Sequence, residues 1–195
     1  MAAKKGSRAQ EILQTLARML ETSKGRITTA ALASELGISE AALYRHFPSK
    51  TRMYESLIDF IEETIFGRVR TIINDEPDAV SQCYRILSLV VAFCQKNPGI
   101  TRILNGDALA IENERLHNRV AQFFDRLEAQ LKQALREAEI RDGLKLRVPV
   151  SVAANLMLVC VEGRISQYVR SDFKTSPNDN WTEHWALITS AIFEQ

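Results

Sequence analysis

The chain has 195 residues, 46% of them hydrophobic and 25% charged, with a net charge of +1. These proportions are ordinary for a soluble globular protein, and three cysteines without close pairs exclude a disulfide-stapled secreted scaffold. Residues 1–51 hold eight Lys/Arg against four Asp/Glu, or +4, leaving 17 against 20, or −3, for the rest, a basic end on a mildly acidic body that suits phosphate contact at one face.

No run alternates apolar and polar residues long enough to argue for a strand, and the five prolines sit almost entirely between periodic segments, so an all-α fold is expected. Residues 1–7 read as a mobile basic arm without the apolar core of an export signal. A first helix is expected over residues 8–21, with Ile12, Leu13, Leu16, Ala17 and Leu20 on one face. The loop 22–25 leads to a short helix from Thr28 to Leu36, closed by Gly37 in a tight turn. Ser39 caps a second short helix, and Pro48 ends it near His46 by disfavouring helical geometry at Phe47. Two short helices joined by a glycine turn form a helix-turn-helix, whose second helix enters a DNA major groove. Leu32, Leu36, Ile38, Leu43 and Phe47 have the spacing of its small core with the first helix.

Ser49 is a fresh cap, and Tyr54, Leu57, Ile58, Ile61, Ile65, Val69 and Ile72 mark a long helix over residues 50–73. Phe60, Phe66 and Arg68 lie off the centre of that stripe. A helix over 79–96 carries Cys83, Ile86, Leu87, Val90, Val91 and Cys94, and Asn97-Pro98-Gly99 stops it. A short helix over 100–104 follows, and Asp107 is expected to open a long, heavily charged one reaching residue 140, whose face resembles a coiled-coil surface. Residues 150–170 are apolar nearly all round and must be covered on both sides. They are too short an apolar run, interrupted by Ser151 and Asn155, to cross a bilayer. Asn180 with Glu183 three residues on predicts a capped last helix bearing Trp181, Trp185, Leu187, Ile188 and Ile192. Cys83, Cys94 and Cys160 lie in apolar stretches and are expected as buried free thiols. The expected organisation is an arm (1–7), a helix-turn-helix domain (8–51) and a helical regulatory and dimerisation domain (52–195).

The run Thr28-Thr29, Leu32-Ala33, Leu36-Gly37-Ile38-Ser39, Leu43-Tyr44, His46-Phe47, Lys50 resembles the signature of TetR-type DNA-binding proteins. Residues 26–53, with 97–104 and 160–174, resemble one branch of that superfamily, the SlmA nucleoid occlusion factors. Just before Asn97-Pro98-Gly99, Lys96 stands where an arginine is usual, and Tyr168 stands where a phenylalanine is usual. The resemblance implies a TetR-like fold that dimerises through its last two helices, with Leu156, Val159, Ile165, Trp185 and Ile188 as the expected interface. It also implies a cytoplasmic, nucleoid-associated protein that binds chromosomal sites and antagonises polymers of the division protein FtsZ. The alternative is a ligand-released TetR-type transcriptional repressor.

The DNA expectation is specific. Thr28 and Thr29 begin a helix, so their hydroxyls and amides can grip a phosphate, while Tyr44 and Lys50 match residues that hold backbone phosphates in TetR-type proteins. Ser39, Glu40, Ala41 and Arg45 are the expected base readers, Glu40 by accepting from a cytosine amine and Ala41 by touching a thymine methyl. A dimer of such domains would read palindromic duplex DNA. Phe60, Arg68, Leu89, Lys96 and Asn97 are the expected binding residues for the C-terminal tail of FtsZ. Catalysis is not expected: His46, His117 and His184 are far apart, and no phosphate loop, nucleophile elbow or metal-ligand spacing occurs. No cofactor, metal or membrane partner is expected.

Overall fold

The computed structural model describes residues 5–23, 27–109 and 114–194. Residues 1–4 of the expected arm and 24–26 of the expected loop lie outside them. Among the described residues the regular elements are helices: α1 (Lys5–Thr22), α2 (Thr29–Glu35), α3 (Glu40–Tyr44), α4 (Lys50–Asp75), α5 (Ala79–Lys96), α6 (Pro98–Asn105), α7 (Glu114–Arg141), α8 (Val150–Arg170) and α9 (Trp181–Ile192). They cluster into two compact units. One takes the chain up to Ile61 together with Asn97–Val120, and the other takes Glu62–Lys96 and the chain from Ala121 onward.

The first unit is built on α1, whose Ile12, Leu16 and Leu20 are buried. Helix α6 packs on α1, starting at Pro98, whose missing N–H is no loss at a first helical position. Gly99 is what permits the closeness: a Cβ there would stand 1.9 Å from the Ala17 carbonyl oxygen. Behind it Ile100, Ile103 and Leu104 complete the buried face. The start of α4 is tied to α7 by charge. Glu55 is buried, and a buried carboxylate must be paired to stay ionised. Arg52 reaches one of its oxygens at 2.6 Å and Arg115 the other at 3.1 Å. One turn on, Asp59 accepts from Arg119 at 2.8 Å.

In the second unit α5 and α8 share the core. Cys83, Ile86, Leu87, Val90, Val91 and Cys94 meet Ala153, Ala154, Met157, Leu158 and Val161 in its interior, all of them buried. Phe66 of α4 packs edge-on to Phe123 of α7, with the Arg126 guanidinium 3.8 Å above its ring and 3.6 Å from Glu62. Helix α9 is fixed at both ends. The Trp181 indole donates to the Ser88 hydroxyl at 2.7 Å, and Arg147 Nε donates to the Phe193 carbonyl at 3.0 Å. Arg164 of α8 is buried, donating from Nε to the Pro177 carbonyl at 2.7 Å, with Nη1 2.8 Å from His184 Nδ1.

Several expectations need correction. Lys5, Gly6 and Ser7 belong to α1 rather than to an arm. The long charged helix does not open at Asp107: it is described from Glu114, and residues 110–113 lie outside the described residues. Asp107–Leu109 form a 3-10 turn instead, and a His117 ring nitrogen lies 2.8 Å from the Leu109 carbonyl. Asn180 does precede α9, but in a left-handed conformation (φ 54°) that turns its side chain away from capping; asparagine tolerates that region better than most residues. Cys160 is half-buried, unlike Cys83 and Cys94. Asn155, which interrupts the apolar run of α8, is exposed.

Candidate nucleic-acid interface

The helix-turn-helix is fixed by its turn. Gly37 sits at φ 63°, where a side chain would be strained. Its N–H bonds the Ser34 carbonyl while Ile38 N–H bonds that of Ala33, the double bond of a Schellman stop. Ser39 then accepts from Ala42 N–H at 3.2 Å, Thr28 accepts from Ala31 N–H at 3.1 Å, and Ser49 accepts from Arg52 N–H at 3.2 Å. Each hydroxyl satisfies an orphan amide at a helix start. Leu32, Ala33, Leu43, Phe47 and Met53 are buried beneath, so α2, α3 and the first turn of α4 form one rigid piece. His46 is half-buried against it.

This packing leaves the expected DNA residues outward. Thr28, Ser39, Glu40, Ala41, Tyr44 and Arg45 are exposed, and Thr29 and Lys50 are half-buried. Lys50 Nζ lies 5.3 Å from the centroid of the Tyr54 ring, a buried aromatic that steadies its stem. One arrangement was invisible to sequence reasoning. The Tyr44 hydroxyl donates to Thr29 Oγ1 at 3.4 Å, and Thr29 Oγ1 donates to Glu40 Oε2 at 2.6 Å. An expected base reader and two expected phosphate grippers are thereby joined in one chain of hydrogen bonds. The Glu55 carboxylate between Arg52 and Arg115 also escaped notice, because its second partner lies 60 positions away in sequence.

Four of the five residues expected at the FtsZ tail fall into two depressions. Phe60, 46% exposed, and Asn97 line one of about 320 Å³ in the first unit, with Leu13, Ala17, Leu57 and Ile100. Arg68 and Leu89 line another of about 590 Å³ in the second unit, beside Tyr84, Arg85 and Ser88. Lys96 ends α5 and is exposed. Of the expected dimer residues, Leu156 and Val159 are exposed on α8 beside Val152, and Trp185 is half-buried. Ile165 and Ile188 belong instead to the core of their own unit, where they are buried. The helical stripe of α8 thus divides into a covered half and an open half. Among the described residues no helix is long and apolar enough to cross a membrane.

Known proteins share this arrangement. A family model described as bacterial regulatory proteins of the tetR family matches residues 16–57, which contain the whole helix-turn-helix. A second, described as a SlmA-like, tetracyclin repressor-like C-terminal domain, matches residues 77–192. The nucleoid occlusion factor SlmA of Alteromonas mediterranea is 55% identical over 188 residues, 96% of either chain. That of Shewanella amazonensis is 52% identical over 196 residues, covering both chains completely. The chain belongs to the nucleoid occlusion factor SlmA family. Likeness of fold reaches much further than this family: the ketosteroid transcriptional regulator KstR2 of Mycobacterium tuberculosis superposes with a TM-score of 0.79 at 17% identity, covering 100% of this chain and 99% of that one. The SlmA family is therefore one use of a fold that other regulators share.

Proposed function

We propose that the protein is a sequence-specific DNA-binding nucleoid occlusion factor that acts as a homodimer. Bound to palindromic sites on the chromosome, it antagonises FtsZ polymers and so blocks septum assembly over the nucleoid. The observation that carries the DNA half of this reading is the capped helix-turn-helix, with Thr28, Thr29, Ser39, Tyr44, Arg45 and Lys50 outward over a buried core. Hydroxyls and cations grip phosphates and set the register, and the exposed tips of α3 meet base edges. Two-fold symmetry would come from the open apolar half of α8, since Val152, Leu156 and Val159 recur at helical spacing and are 40–51% exposed.

For the FtsZ half, the support is chemical complementarity with a short tail. The depression of the first unit offers an apolar floor beside exposed Phe60 and the amide of Asn97. The depression of the second, taken by itself, holds the guanidinium of Arg68, which suits acidic residues. Co-sedimentation of FtsZ polymers with the protein, with and without a DNA site selected from a random library, tests the whole reading. The expected result is recruitment to polymers that strengthens with the DNA and loosens for Phe60→Ala and Arg68→Asp. Recruitment indifferent to both substitutions would remove these surfaces from the reading.

A further inference from the structure

In the first unit, the two hydroxyls best placed to grip a phosphate are already engaged by an internal anion. Tyr44 donates to Thr29, and Thr29 donates at 2.6 Å to the Glu40 carboxylate. The direction of donation matters. Both hydroxyl protons point along the chain toward Glu40, so neither is turned outward. A phosphate oxygen is the same kind of acceptor as a carboxylate oxygen, and it would compete for the same protons. Glu40 is itself exposed in the first turn of α3, the helix whose tips face base edges.

We propose that Glu40 is a discriminating gate: its carboxylate stands in for phosphate on Thr29 in the free protein, and it must exchange the Thr29 hydroxyl for a base-edge donor when the correct duplex binds. One carboxylate has two mutually exclusive partners. On a correct sequence, a cytosine amine or similar group donates to the carboxylate once Thr29 turns to the phosphate. On a wrong sequence, no donor waits in the groove. Glu40 then either keeps Thr29 from the backbone or stands unpaired beside phosphate charge. Both outcomes penalise the wrong duplex, so the residue adds specificity through what it withholds. This inference rests on the DNA-binding reading above and adds to it a role for the ground-state hydrogen bond.

The test uses the full chain and two fluorescent duplexes at one salt concentration. One is the duplex the wild type enriches from a random library, and the other is a scramble of the same composition. Glu40→Ala should tighten the scrambled duplex by about three- to tenfold, the usual weight of an exposed charge-assisted hydrogen bond. It should tighten the enriched duplex less, so the ratio between them falls. In a Thr29→Ala background the gate has nothing to hold, and Glu40→Ala should change scrambled-duplex affinity by less than about twofold. Glu35→Gln, an exposed acid on α2 facing Arg18 at 3.3 Å, controls for plain removal of negative charge. If Glu40→Ala acts equally in both backgrounds, or no more than Glu35→Gln, Glu40 is one more surface charge and the gate is refuted. If it weakens only the enriched duplex, Glu40 is a base reader alone, which also overturns the gate. A wild type that distinguishes neither duplex from the other fails earlier, on the DNA-binding reading itself.

Discussion

Replacing Gly99 by alanine adds one methyl group, and the surroundings make it a severe change. The new Cβ would lie 1.9 Å from the Ala17 carbonyl oxygen, and 2.9 Å from both the Ala17 carbonyl carbon and the Glu21 nitrogen. All three atoms are helical backbone of α1, so no side chain can swing aside. To restore even 3.0 Å, α6 must back away by about 1.1 Å, and a gap of that size forfeits roughly a quarter to a half of each dispersion contact across the interface. Ile100, Ile103 and Leu104 on α6 and Ile12, Leu16 and Leu20 on α1 are buried there. The cost is about 3 kcal/mol or more, at the upper end of overpacking substitutions. The same substitution at Gly67 of α4, where a Cβ meets nothing within 4 Å, should stabilise by about 0.5–1 kcal/mol through helix propensity. Urea denaturation followed by circular dichroism compares the two with the wild type. A Gly99→Ala midpoint equal to that of the wild type, or shifted the same way as Gly67→Ala, would refute the close α1–α6 approach.

Leu156→Glu should leave the protomer folded, because the side chain is already exposed, while abolishing the homodimer by placing a charge in an apolar contact; light scattering should then report the 22.0 kDa chain alone, and a species twice that mass would contradict the assignment of α8. Arg164→Ala strips the partner from the Pro177 carbonyl and from His184, and should lower stability by about 2–4 kcal/mol, with an unchanged melting midpoint counting against it. Burial first, and the negative charge of Asp78 second, push the Cys83 thiol up to about 12. A thiol reagent at pH 8 should accordingly reach Cys83 only on unfolding. Because the native state keeps the Cys83 proton while the unfolded chain releases it near its ordinary 9.0, stability should fall as pH rises from about 9 toward 12. Cys83→Ala should flatten that decline.

The helix-turn-helix was legible in the sequence because its determinants are local. Gly37, the caps Thr28, Ser39 and Ser49, and Pro48 each act within four positions of themselves, and the structure places each hydroxyl on the amide that its position implies. Outward placement of Tyr44, Arg45 and Ala41 followed from the same periodicity. What escaped depended on distant partners. No pattern announces that Glu55 will meet Arg115, that Gly99 must lie against the Ala17 carbonyl, or that the Glu40 side chain will fold back eleven positions to Thr29. Composition showed that α8 is apolar nearly all round, but not which half its own unit would cover. Ile165 and Leu156 look alike in sequence, and only packing sends one inward and the other to the surface.

The double fastening of α9 has a thermodynamic consequence for whatever meets its exposed Leu187. At its start, the Trp181 indole is bonded to Ser88 and stacked at 6.4 Å on Tyr84. Beyond its end, Phe193 and Glu194 are knitted to residues 145–147 by a bridge between Leu146 and Phe193, with Arg147 N–H on the Ile192 carbonyl and Glu194 N–H on that of Lys145. The helix is therefore ordered before any encounter, and its backbone entropy is lost on folding rather than on association. A body docking here would behave as a rigid piece meeting another. Its heat-capacity change should match the apolar area covered and no more, without the excess that marks a segment folding as it binds.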